Sequence, residues 1–223
     1  MCTVTYIPIN ETDFILTSSR DVPFAREKAL YPKKYEEDSV EITYPKDGRA
    51  SGTWIGYSSK NRLICLLNGG FENHSSEKTY RKSRGVIVKD LLKETDIFAA
   101  LSEINLNNIE PFTLAIVDWN NELQLIELVW DGKQKHIKKL DQEKHIWSSS
   151  TLYDEKMKQL RKNWFADWKL ENKQTDILDF HHNAGINDCN VDVIMKREKV
   201  GTVSITQVIK TNNEIAMNYE EII

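Results

Sequence analysis

Cysteine is scarce in this chain: three occur in 223 residues, Cys2, Cys65 and Cys189. An odd, widely spaced set supports no disulfide framework, and without a CxxC pair no zinc site is signalled. Such usage fits a reducing compartment. An excess of positive charge is also missing. Thirty Lys and Arg against 34 Asp and Glu leave a net −4 at pH 7. That balance lacks the overall basic signature of a nucleic-acid binder. No apolar run approaches the roughly 20 residues needed to cross a bilayer. The first residues, Met1-Cys2-Thr3-Val4-Thr5-Tyr6-Ile7-Pro8, show neither the basic nor the apolar segment of a secretory leader, so a cytoplasmic location is expected. No repeat period and no low-complexity linker interrupts the chain, which leaves a single domain over residues 1–223 as the expected organisation.

What is present is enough apolar material for a buried core. Hydrophobic residues make up 40% and charged residues 29%, a globular composition rather than a disordered one. Residues 2–8 and 14–18 are rich in Thr, Val, Ile and aromatics and flank a turn cluster at 10–13, which predicts a hairpin. Residues 23–50 are punctuated by Pro23, Pro32, Pro45 and Gly48 and read as a loop. Residues 53–57 and 63–67 predict a second hairpin, its second strand apolar throughout and so covered on both faces. Helical spacing appears over 83–92 and 96–104. Strands follow at 112–119, 123–130 and 134–140. Met157, Leu160, Trp164, Phe165 and Trp168 mark the apolar stripe of a long helix over 154–170, and 175–181 reads as a shorter one. Three further strands are expected at 191–195, 202–209 and 214–219. Hairpins dominate this order. It predicts an α+β fold, a four-layer αββα sandwich of two mostly antiparallel sheets.

Cys2 carries the chemical interest. If Met1 is removed, its thiol and its own α-amine lie on one residue. A free α-amine titrates near ~7.7–8.0 and can serve as a general base without a histidine. A hairpin pairing residues 2–8 with 14–20 brings Arg20 and Asp21 beside Cys2. Asp21 can then orient the amine, and Arg20 can bias the thiol or bind a substrate carboxylate. The alternative is a small buried strand residue with a surface ion pair beside it.

Several segments together resemble the NRDE family, also known as the transport and Golgi organisation 2 family. Met1-Cys2 opens the chain. Ser19-Arg20-Asp21-Val22 stands where the family has Asn-Arg-Asp-Glu. Ser51-Gly52-Thr53-Trp54-Ile55-Gly56 stands where it has Gly-Gly-Thr-Trp-Leu/Ile-Gly. Leu67-Asn68, Ser83-Arg84-Gly85, the run from Phe112 to Asp118 and Thr202-Val203-Ser204 complete the pattern. The resemblance implies the fold of the N-terminal-nucleophile hydrolases, in their cysteine branch. It also implies site residues: Cys2, Arg20 and Asp21 at the start, Asn68 for the first family Asn, and Ser150 where the oxyanion-hole Asn stands. Arg197 or Lys199 corresponds to a late Arg. Trp54 and Arg84 become substrate-binding candidates. The activity implied is that of an amidohydrolase on C–N bonds other than peptide bonds, or an acyltransferase, with a linear amide or acyl substrate. The family's links to haem and acyl-CoA metabolism imply a second reading, a non-catalytic carrier of haem or an acyl lipid. Axial candidates for a haem ligand are Cys2, His74, His136, His145, His181 and His182. No resident cofactor and no metal site is expected. His181 and His182 are adjacent and point to different faces of a helix.

Overall fold

The computed structural model describes residues 2–75, 79–171 and 177–223; Met1 and the side chain of Cys2 lie outside the described part. In chain order the elements are β1 (Cys2–Pro8), β2 (Phe14–Pro23), β3 (Leu30–Glu37), β4 (Val40–Lys46), β5 (Ile55–Ser58), β6 (Arg62–Asn68), α1 (Arg84–Lys93), α2 (Ile97–Glu103) and β7 (Phe112–Asp118). They continue with β8 (Gln124–Trp130), β9 (Lys135–Leu140), β10 (His145–Ser148), α3 (Glu155–Glu171), α4 (Ile177–Asn183), β11 (Val200–Thr211) and β12 (Glu214–Glu221). The start of the expected short helix, residues 175 and 176, falls outside the described residues.

The chain divides into two compact units, one of Met1–Arg26 with Glu143–Ile223, the other of Glu27–Gln142. In the first, five strands pair antiparallel in the order β10-β1-β2-β11-β12. One face of this sheet carries α3 and α4. There Ile7 and Ile15 pack with Phe165, Trp168, Ile177, Phe180 and Val193. The aromatic stripe read from the sequence is therefore the underside of α3. Arg161 lies on that same stripe, one turn after Met157, and is fully buried.

In the second unit seven strands run in sequence order, β3 to β9, all antiparallel. The interior strands β6 and β7 are buried along almost their whole length. Helix α1 packs on β5 and β6. Arg62, 1% exposed, pairs with Asp118 at 2.8 Å and donates to the Leu91 and Glu94 carbonyls at the end of α1. A cation thus satisfies both a buried carboxylate and a helix C-terminus.

Two expectations need correction, and one strand went unread. Residues 23–50 are not one loop, because β3 and β4 form a hairpin across Asp38 and Ser39, both at positive φ. The prolines misled: Pro32 sits at a register irregularity on edge strand β3, where no ladder hydrogen bond is required of it. Residues 191–195 do not form a strand. The Val191, Asp192 and Val193 amides fold back onto Asp188 and Ala184, and an isolated bridge joins Lys196 and Gly201 nearby. β10 was not read at all, since four residues are too few for an alternation to register.

Ser51 shows why the motif around it prefers glycine. Its φ is 55°, in the left-handed region, and its side chain is exposed. A Cβ there costs about 1 kcal/mol, so Ser51→Gly is expected to raise the thermal midpoint slightly. An unchanged or lowered midpoint would contradict this.

Candidate active site

The first unit brings the N-terminal candidates together through strand register. β1 and β2 pair so that Cys2 stands opposite Arg20, Thr3 opposite Ser19 and Val4 opposite Ser18. On its other side β2 meets β11, with Asp21 opposite Thr202 and Arg20 opposite Ser204. Alternation puts Arg20 on the face of the Cys2 register position and Asp21 on the opposite one. Arg20 is 4% exposed. Beside it on that face, Ser18, Ser204 and Thr206 hold buried hydroxyls with no partner among the described residues.

Asp21 is wholly buried, and both its oxygens are engaged. The Tyr153 hydroxyl donates to Oδ2, and Thr202 Oγ1 donates to Oδ1 at 2.6 Å. The register shift between Thr202 and Ser204 is a β-bulge, a device that re-aims side chains. Burial pushes the Asp21 carboxyl above the usual carboxylate range. The two hydroxyl donors and the nearby Arg161 charge act against that rise. Arg161 lies with its guanidinium carbon 3.8 Å from the Tyr153 ring centroid.

His181 sits on the Asp21 face. Its Nδ1 lies 2.7 Å from Ser19 Oγ and its Nε2 2.8 Å from Thr5 Oγ1. Burial, aided by His182, lowers its pKa to about 3, so the ring is neutral, donating through one nitrogen and accepting through the other. It pins β1 to β2 two residues from Asp21. Both ring nitrogens are occupied, which leaves neither for a haem iron. His74, His136 and His182 contact Glu110, Asp131 and Glu220, and His145 stacks on Trp147.

Ser150 follows β10 closely, near the end of β1 where Thr3 faces Ser148. It is buried and accepts a hydrogen bond from Lys158 Nζ at 3.0 Å. Arg197 braces the segment instead of standing free: it donates to the Asn190 and Leu152 carbonyls. Lys199 is exposed and contributes its carbonyl to the Phe24 amide.

In the second unit, Trp54 is 6% exposed just ahead of β5, and Asn68 ends β6 half-buried opposite Phe112. Arg84 opens α1, bonded to Glu110 at 2.9 Å and to the Pro111 carbonyl. Gly52 and Gly85 touch: a Cβ on Gly52 would lie 2.5 Å from the Gly85 carbonyl carbon. The two glycine-bearing motifs of the resemblance therefore meet back to back.

A family model described as Transport and Golgi organisation 2 matches residues 1–221. The chain belongs to that family. Solved structures show what fold this chain has. The N-acylethanolamine-hydrolyzing acid amidase orthologue of Caenorhabditis elegans aligns with TM-score 0.61 at 13% identity, covering 93% of this chain and 92% of that one. A variant of conjugated bile acid hydrolase from Clostridium perfringens gives 0.57 at 11%, covering 97% and 92%. Penicillin V acylase from Agrobacterium tumefaciens gives 0.51 at 10%, covering 100% and 86%. At these identities the likeness establishes the fold, that of the N-terminal-nucleophile hydrolases. A search of curated protein sequences returns no match.

Sequence reasoning missed Tyr153, Arg161 and the roles of Thr202 and His181. One signal was available. Arg161 is a charged residue set on the apolar stripe of α3, a position that demands a partner.

Proposed function

We propose that this Transport and Golgi organisation 2 family member is an N-terminal-cysteine hydrolase or acyltransferase that cleaves a linear amide at a C–N bond other than a peptide bond. The observation that carries the reading is the register that sets Cys2 opposite Arg20, with the buried Asp21 carboxylate next along β2. After removal of Met1, the Cys2 thiol adds to the acyl carbon and its proton passes to the α-amine. The protonated amine then gives that proton to the leaving nitrogen as the C–N bond breaks, leaving a thioester. Water, or a second acceptor, attacks the thioester and restores the thiol. Asp21 lies on the face of β2 opposite the Cys2 register position, beside the start of β1, which suits it to the strand's terminal amine. Arg20 favours the thiolate and steers an anionic group. The Ser150 hydroxyl serves as an oxyanion donor, its donor strength raised by the Lys158 ammonium.

Intact mass combined with acyl-probe labelling tests this. Met1 is expected to be absent, and a thiol-reactive acyl probe at neutral pH should acylate Cys2 well ahead of Cys189, an exposed free thiol. Cys2→Ala should abolish the fast phase. Retention of Met1, or labelling of Cys2 no faster than Cys189, would overturn the reading.

A further inference from the structure

We infer that Tyr153 and Arg161 are positioning residues that keep Asp21 charged, forming a line from the Arg161 guanidinium through the Tyr153 ring and hydroxyl to the Asp21 carboxylate. This rests on the reading of Cys2 above for its catalytic consequence, though not for its structural one.

Thr202 shows how tightly the carboxylate is specified. Its Oγ1 accepts the Met195 amide at 2.9 Å, which leaves one proton to place. Asp21 Oδ1 stands 2.6 Å away and the Val193 carbonyl 3.3 Å, so the proton goes to Asp21. Tyr153 supplies the other donor, to Oδ2. A carboxylate taking two O–H donors is stabilised in its charged form, because each donor binds a charged oxygen more strongly than a neutral one.

Arg161 explains why the Tyr153 donor is strong. The guanidinium is fully buried. Its Nη2 donates to the Asp192 carbonyl at 2.8 Å, while Nε and Nη1 have no partner among the described residues. A buried cation needs compensating negative potential. The face of the Tyr153 ring supplies part of it, and the Asp21 carboxylate beyond the hydroxyl supplies the rest. The cation in turn draws density from the ring and sharpens the phenol as a donor. Arg161 therefore acts on Asp21 without touching it.

The charged and titratable groups around Asp21 come from each element packed there. Tyr153 precedes α3 and Arg161 lies within it. His181 of α4 is neutral and reaches Ser19. Arg20 flanks Asp21 on β2, on the other face. Lys158 is turned to Ser150 and Glu155, and Arg197 to Asn190 and Leu152. The N-terminal amine and Arg161 both act on the carboxylate through their charge, and Tyr153 through its hydrogen bond; among these described groups, Tyr153 is the one that links Arg161 to Asp21.

The test reads Asp21 itself. Its carboxyl carbon resonance, assigned by its loss in Asp21→Asn, is titrated in the full chain, in Tyr153→Phe, in Arg161→Met and in Arg161→Lys. Tyr153→Phe and Arg161→Met should move the midpoint upward by about one pH unit, a tenfold change in the ionisation constant. Arg161→Lys should restore part of the shift. The pH profile of Cys2 acylation should move in the same direction, with Cys189 labelling as the internal control. If Arg161→Met fails to fold, Tyr153→Phe, which deletes one oxygen, carries the test. An Asp21 midpoint unmoved in a folded Tyr153→Phe overturns the proposal. A midpoint that moves while wild-type Cys2 shows no activation sustains the line and overturns the catalytic reading alone.

Discussion

Gly52→Ala is expected to cost about 3 kcal/mol or more, at the upper end for overpacked sites. Three backbone atoms of Gly85 lie 2.5, 2.9 and 2.9 Å from the position of the new Cβ. Side-chain ends can swing away from an intruding methyl group, but backbone cannot. Relief requires α1 to lift from the segment before β5, and that breaks the Thr53 amide bond to the Gly85 carbonyl. The reciprocal change, Gly85→Ala, meets Thr53 O at 2.8 Å and Thr53 N at 2.9 Å, so it should cost a similar amount. Because both changes destroy one contact, the double variant should lose less than the sum of the two. Against a total of about 5–15 kcal/mol for a typical domain, either change should shift a urea midpoint by a large fraction. A midpoint within error of the wild type would refute this.

The second large effect concerns acid. His181 is neutral in the fold, with a pKa lowered to about 3 from the ordinary 6.5. Between these values the unfolded chain binds a proton that the folded chain refuses. Stability from this group is therefore complete above the unfolded value and falls as the pH falls through the window. Integrated from pH 7 to pH 4, the loss is roughly 3 kcal/mol. Asp21 works in the opposite sense. Its raised pKa means the folded state takes up a proton first, so its contribution declines as pH rises through its own window. The variant His181→Gln removes the titration while keeping a donor and an acceptor near Thr5 and Ser19. It should be less stable at pH 7, yet show a shallower loss of unfolding free energy toward pH 4. Denaturation curves over that range decide it, and an unchanged slope would exclude His181 as the source.

Much of the frame was readable because its signals are local. The β1–β2 hairpin follows from two β-rich runs around a turn cluster, and once it is drawn Arg20 has to approach Cys2. The β5–β6 hairpin and the three strands β7 to β9 were read for the same reason, with α1 and α2 marked by spacing between them; the pairing of β6 with β7 across those helices was not. The β3–β4 hairpin was lost because prolines on an edge strand carry the same residue letters as prolines in a loop. The partners of Asp21 were beyond any local pattern. Tyr153 and Thr202 lie 132 and 181 residues away along the chain, and periodicity reports which face a residue uses, never what it meets there. The buried charge at Arg161 shows the limit well. Its place on the stripe of α3 announces a cost, while the ring that offsets it comes from the loop before the helix.

The distance between Asp21 and its partners also sets an order in time. A ribosome delivers about 5–20 residues per second, so strand β2 emerges many seconds before β11 can pair with it. Until then the nascent chain carries Cys2, Arg20 and Asp21 without the hydroxyls that clamp the carboxylate. The amino end thus stays open to processing during most of synthesis. The Asp21 carboxylate is clamped only when the final strands arrive, so a truncated product carries Cys2, Arg20 and Asp21 without the Thr202 hydroxyl.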